Sequence, residues 1–140
     1  MNNNNYIGRT HHKFESVLNF YAAKIFKPVL DIENVLALET KEHFRTPPEK
    51  SAMLPIEKGT KWGEEYGNIW LRCEVTVPEE CEGHLIGAVP TGRAREILCF
   101  KDGEPAGIIN SKNRFIGGEH SCMIISGSAK AGEKIDLAFE

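Results

Sequence analysis

From His12 to Phe26 the apolar residues Phe14, Val17, Leu18, Tyr21, Ala22 and Ile25 recur at i, i+3, i+4, i+7, i+8 and i+11. That spacing makes one stripe of an α-helix, and Pro28 ends it because proline lacks the amide that the next helical hydrogen bond needs. Upstream, Met1 to about Thr10 is polar and holds an Asn run with no apolar face to bury, so residues 1–11 are expected to form a disordered tail. Val35 to Leu38 is too short for its period to decide between strand and helix. Pro47, Pro48, Pro55 and Gly59 interrupt any period between Thr46 and Lys61, so residues 12–60 read as the helix followed by an extended connection.

Beyond residue 60 the period shortens to two. Ile69, Leu71, Cys73, Val75 and Val77 alternate with Trp70, Arg72, Glu74 and Thr76, and Pro78 closes the run. Alternation of this kind predicts a strand with the first set facing a core. Leu85 to Val89, Glu96 to Lys101, Arg114 to Ile116, Ser121 to Ile125 and Lys134 to Phe139 are shorter strand candidates, separated by Gly, Asn or Ser. Asp102-Gly103, between Phe100 and Ile108, signals a two-residue hairpin turn, because a type I′ turn needs positive φ at both central residues. Short strands with turns every 8 to 12 residues or so predict a β-sandwich or jelly roll over 61–140, preceded by a helix.

At 140 residues the chain has the length of one domain. Its 17 basic and 20 acidic residues leave a net charge of −3, which argues against nucleic acid or an anionic membrane as the main partner. The charge is unevenly spread, with 8 basic against 7 acidic residues up to position 60 and 9 against 13 after it. No run reaches the roughly 20 apolar residues that cross a bilayer, and Met1 is followed by Asn rather than by a signal region, so a cytoplasmic location is expected. In that compartment Cys73, Cys81, Cys99 and Cys122 are expected to be free thiols.

Candidate chemistry is sparse. Cys81-x-x-His84 and His120-x-Cys122 offer four zinc-type ligands, but the second pair departs from finger spacing and Cys122 reads better as a buried strand residue. No metal site is assigned. Adjacent His11 and His12 cannot face one ion. No Gly-x-Ser-x-Gly elbow or glycine-rich phosphate loop occurs, and Ser126-Gly127-Ser128 reads as a turn. Glu64-Glu65 and Glu79-Glu80 fall in polar turns, so no catalytic residue is assigned. The aromatics say more: Trp62 precedes the first clear strand, and Trp70 lies beside Arg72 on that strand's polar face. An indole next to a guanidinium suits stacking on a sugar ring with hydrogen bonds to its hydroxyls, or contact with another domain. Packing is the stronger expectation of the two, since buried aromatics outnumber binding platforms.

A series of motifs then resembles a known family. Lys58-Gly59-Thr60-Lys61-Trp62-Gly63 is followed by Trp70-Leu71-Arg72, Val75-Thr76-Val77-Pro78, the stretch Glu96 to Gly107 containing Asp102-Gly103-Glu104-Pro105, and Gly132 to Glu140. In this order they resemble the N-terminal region of the class II α-mannosidases, glycoside hydrolase family 38, over about His12 to Glu140. The resemblance implies a galactose-binding-like β-sandwich preceding a β/α catalytic domain that holds zinc through His and Asp and uses an Asp nucleophile with retention. The family's His-x-His is absent here, so zinc and catalysis are expected of the catalytic domain and not of these residues.

The expectation is therefore an accessory β-sandwich of an α-mannosidase that hydrolyses terminal α-mannosyl linkages. It would buttress the catalytic domain of the same polypeptide and help shape the α-mannoside site. Trp62, Trp70 and Arg72 are its candidate sugar or interdomain contacts, and it needs no cofactor of its own. A homo-oligomer fits this reading, and a free-standing carbohydrate-binding module is the alternative.

Overall fold

The computed structural model describes residues 3–63, 65–91, 94, 96–110 and 122–140. Helix α1 covers Asn3–Ile25 and is followed by strands β1 Val35–Thr40, β2 Leu54–Ile56, β3 Asn68–Thr76, β4 Ile86–Ala88, β5 Glu96–Lys101, β6 Glu104–Asn110, β7 Met123–Ser126 and β8 Lys134–Phe139. The strands form a six-stranded antiparallel sheet in the order β2-β1-β3-β8-β5-β6 and a two-stranded sheet of β4 and β7. The mainly β architecture with one N-terminal helix agrees with the expectation. The candidate strand Arg114 to Ile116 lies outside the described residues.

The inward set of β3 behaves as its alternation predicts. Cys73 and Val77 join Ile97, Cys99, Ile109, Met123, Ile135, Leu137 and Phe139 in one buried cluster between the sheets. Lys101 crosses between the sheets and donates from Nζ to the Ile125 carbonyl at 3.0 Å. The 78–84 loop is clasped to the 129–133 turn, with Gly83 donating to the Ala129 carbonyl and Ala129 to that of His84. This clasp buries Cys81.

The β5–β6 hairpin turns at the expected residues, with φ of 51° at Asp102 and 85° at Gly103. Its tip is tied to β8, since Asp102 donates its amide to the Asp136 carbonyl and accepts the Asp136 amide on Oδ1.

Two differences from the sequence reading matter for function. The sheet starts at Val35 rather than near residue 61, because β1 and β2 join it from the segment expected to be a connection. Their runs of six and three residues are too short to declare a period. The helix begins at Asn3, earlier than His12, where the apolar stripe starts. Its stripe does not pack on the sandwich: Phe14, Val17, Leu18 and Tyr21 are all exposed, as is Phe20, over whose ring Lys24 places its ammonium at 4.1 Å.

Candidate functional site

Strand β3 points Asn68, Trp70 and Arg72 toward the outer face of the large sheet, opposite Thr40, Leu38 and Leu36 of β1. The segment from Lys41 to Met53 crosses that face as a strap. Phe44 and Met53 from the strap close over Trp70, Phe100 and Ala138, and Leu36 and Leu38 complete this second apolar cluster. Trp70 is completely buried, 5.3 Å from the Phe100 ring centroid and edge-on to Phe44 at 6.4 Å. Burial of this kind is the packing that is the stronger of the two expectations for Trp70, and it removes Trp70 from the candidate sugar contacts. Its Nε1–H finds no acceptor, which costs about 1–3 kcal/mol for a buried donor.

Arg72 is likewise internal. Its Nε and Nη2 both donate to Asp136 Oδ2, at 2.8 and 2.6 Å, and Nη1 donates to the Pro48 carbonyl at 2.6 Å. Lys50 Nζ sits 2.9 Å from Asp136 Oδ1 and forms an ion pair with it. Burial alone would raise the Asp136 carboxyl, but the hydrogen bonds from Arg72 and the charge of Lys50 outweigh it and hold the group below its ordinary value. Pro48 and Lys50 belong to the strap, so this cluster fastens the strap over Trp70. With its guanidinium spent on internal partners, Arg72 offers no donor fork to a sugar.

Trp62 stands apart from the other two candidates, since 37% of it is exposed. It lines an open trough of about 2290 Å³ together with Leu30, Leu71, Leu85, Leu98 and Ile124. Among the other lining residues, Asn68 Nδ2 lies 3.4 Å from Glu140 Oε1 and 3.5 Å from His43 Nδ1. Burial pushes the Glu140 carboxyl up, and His43 opposes that shift. Between Trp62 and Asn68 the chain turns through Tyr66, which is 90% exposed with φ of +61°. Sequence reasoning missed Tyr66, His43, Asn68 and Glu140, because they carry no motif and meet only when the ends of β1, β3 and β8 are brought side by side.

A model of the family described as "Alpha-mannosidase, jelly roll domain" matches residues 33–140. The chain belongs to that family. The match spans every strand of the jelly roll domain, starting two residues before β1, and bears out the resemblance to the N-terminal region of family 38 α-mannosidases. Neither the curated proteins nor the solved structures gave a match.

Within the jelly roll domain the cysteines are core residues. Cys73, Cys81 and Cys99 are buried and Cys122 is half-buried, all as free thiols. Burial pushes the Cys73 and Cys99 thiols up to about 11, with the Asp136 charge adding to the effect at Cys73, and also raises Cys122. Thiols held protonated in this way are poor nucleophiles and poor metal ligands. His84 is exposed, while His120 lies outside the described residues. Among the described residues no group of three or more His, Cys, Asp or Glu is placed to hold a metal. No described helix is long and apolar enough to cross a membrane.

Proposed function

We propose that this jelly roll is the accessory domain of an α-mannosidase that hydrolyses terminal α-mannosyl linkages, and that it buttresses the catalytic domain of the same polypeptide. Zinc, the nucleophile and turnover belong in this reading to the catalytic domain, and the whole enzyme to the cytoplasm. The observation that carries it is the apolar surface left in water: the α1 stripe of Phe14, Val17, Leu18 and Tyr21, and the trough walled by Leu30, Leu85 and Ile124. Monomeric domains rarely expose contiguous apolar surface on this scale, whereas contacts between domains of one chain bury roughly 600–1,500 Å².

The test is complementation. An α-mannosidase stripped of its own jelly roll should lose stability and hydrolysis of a chromogenic α-mannoside. Adding this chain should restore both, and a Leu18→Glu chain should not. A stripped enzyme that keeps full activity and stability would overturn the proposal. The alternative of a free-standing carbohydrate-binding module draws on the exposed aromatics Trp62 and Tyr66, and it predicts a chain that binds sugar but no catalytic domain.

A further inference from the structure

We infer that the trough is a strand-addition site, in which an extended, basic segment of the catalytic domain's polypeptide pairs with the free edge of β4 and enlarges the small sheet. The identity of that partner rests on the accessory-domain reading, whereas the mode of docking follows from the walls of the trough. Every residue from His84 to Thr91 lines it. Successive residues of a strand point to opposite faces, so a space that all of them border runs along the strand's edge. Strand β3 contributes differently: Ile69, Leu71, Cys73, Val75 and Val77 line the trough, and Trp70, Arg72, Glu74 and Thr76 do not. The inner face of the large sheet is therefore the floor. From Ile69 to Val77 it runs about 26 Å, room for a strand of about eight residues.

Among the described residues β4 pairs with β7 alone. An edge paired on one side leaves backbone N–H and C=O groups free on the other, and proteins discourage stray pairing there with proline or charge. The edge strands of the large sheet carry both devices or one of them, Pro55 in β2 and Glu104 with Pro105 in β6. Strand β4 carries neither. Leu85-Ile86-Gly87-Ala88-Val89 is apolar and uncharged throughout, the composition of a strand with neighbours on both sides, yet Leu85 is 62% exposed and Val89 46%. Free backbone groups select an extended occupant over a helix, whose own groups are paired with one another. Charge selects further. Asp31, Glu33, Glu57, Glu80, Glu96 and Glu140 line the trough against Lys27 and Lys58, and Lys58 lies 3.4 Å from Asp31. This excess of carboxylate complements a segment bearing lysine or arginine.

Strand addition is tested on this chain alone, so it can fail where complementation succeeds, as it would if the catalytic domain rested on the trough through side chains only. The probe is a peptide of alternating valine and lysine, about nine residues long to match the floor, titrated into the chain while amide exchange is followed residue by residue by NMR. It should bind saturably and slow exchange at Leu85 to Val89 at least about tenfold. A twin with ester oxygens in place of its backbone N–H groups keeps the charge and the side chains, and should bind at least about tenfold more weakly. Leu85→Lys sets a like charge beside the edge and should weaken the peptide about tenfold with Tm unchanged, since Leu85 is exposed. No slowing at Leu85 to Val89 overturns the inference, as does equal binding by the ester twin or by Leu85→Lys. Slowing that grows with chain concentration in the absence of peptide overturns it too, because a second copy would then be the occupant.

Discussion

Replacing Arg72 by Ala removes three hydrogen bonds at one stroke, two to Asp136 Oδ2 and one to the Pro48 carbonyl. The side chains of Arg72 and Asp136 are 17% and 19% exposed, between the regime of a surface pair and that of a fully buried one. Surface pairs contribute about 0–1 kcal/mol, and breaking a buried pair costs about 3–5 kcal/mol. An intermediate loss of about 2–3 kcal/mol follows, with Lys50 partly compensating the stranded carboxylate. In a domain of this size each kcal/mol lowers Tm by about 3–4 °C, so Arg72→Ala should melt roughly 6–12 °C below the parent.

The same change should act locally, because Pro48 and Lys50 anchor the strap. Trp70 fluorescence should shift to the red before global unfolding as the strap loosens. Acid sensitivity should change as well. Asp136 titrates lower in the folded chain than in the unfolded one, so its contribution is complete above about pH 4 and fades as pH falls through the depressed folded value. Without Arg72 that depression shrinks, and the variant should lose less stability than the parent between about pH 4 and pH 2. Thermal melts across that range, with Trp fluorescence alongside, measure all three effects. A Tm within about 1 °C of the parent, or an unchanged acid profile, would refute the argument that this pair fastens the strap.

Other perturbations follow from the same geometry. Gly87→Ala should cost about 1–3 kcal/mol in denaturant melts, because the added Cβ would lie 2.9 Å from the backbone oxygen of Met123 on the paired strand. Gly103→Val should cost about 1–3 kcal/mol by forcing a β-branched residue to a φ of +85° in the hairpin. The thiols of Cys73 and Cys99 titrate near 11 when folded against 9.0 as free groups, so stability should be complete below about pH 9 and decline as pH rises toward 11. Native alkylation should be slow at Cys73, Cys81 and Cys99, with all four thiols reacting once the chain is unfolded; fast labelling of Cys99 in the native state would contradict its burial.

Legibility in the sequence followed the range of the interactions. Strand β3 and the Asp102-Gly103 hairpin could be read directly, because alternation and turn chemistry are written in neighbouring residues. Trp70 and Arg72 illustrate the limit. Both sit at outward positions of β3, which the alternation marks as polar, and only the strap over residues 41–53 turns that face into a second core. The strap has no period of its own, so nothing local announces that it covers a tryptophan. Helix α1 shows the reverse case: its stripe is plain in the sequence, but the sandwich leaves it in solvent. Periodicity identifies an apolar face without identifying what covers it. The trio of His43, Asn68 and Glu140 was invisible for a topological reason, since β1, β3 and β8 are adjacent in the sheet but far apart along the chain.

Hydrogen–deuterium exchange of the chain by itself and as part of an intact α-mannosidase tests the buttressing role most directly. Side-chain burial by another domain suppresses the local openings that exchange reports. Amides of α1 around Phe14 to Tyr21, and those beside Leu85 and Ile124, should exchange at least about tenfold more slowly in the intact enzyme. Amides of β3 and β8, already inside the six-stranded sheet, should serve as the unchanged reference. Equal exchange of the α1 stripe and the trough walls in both contexts would mean that no domain rests on them, and would contradict a buttressing role.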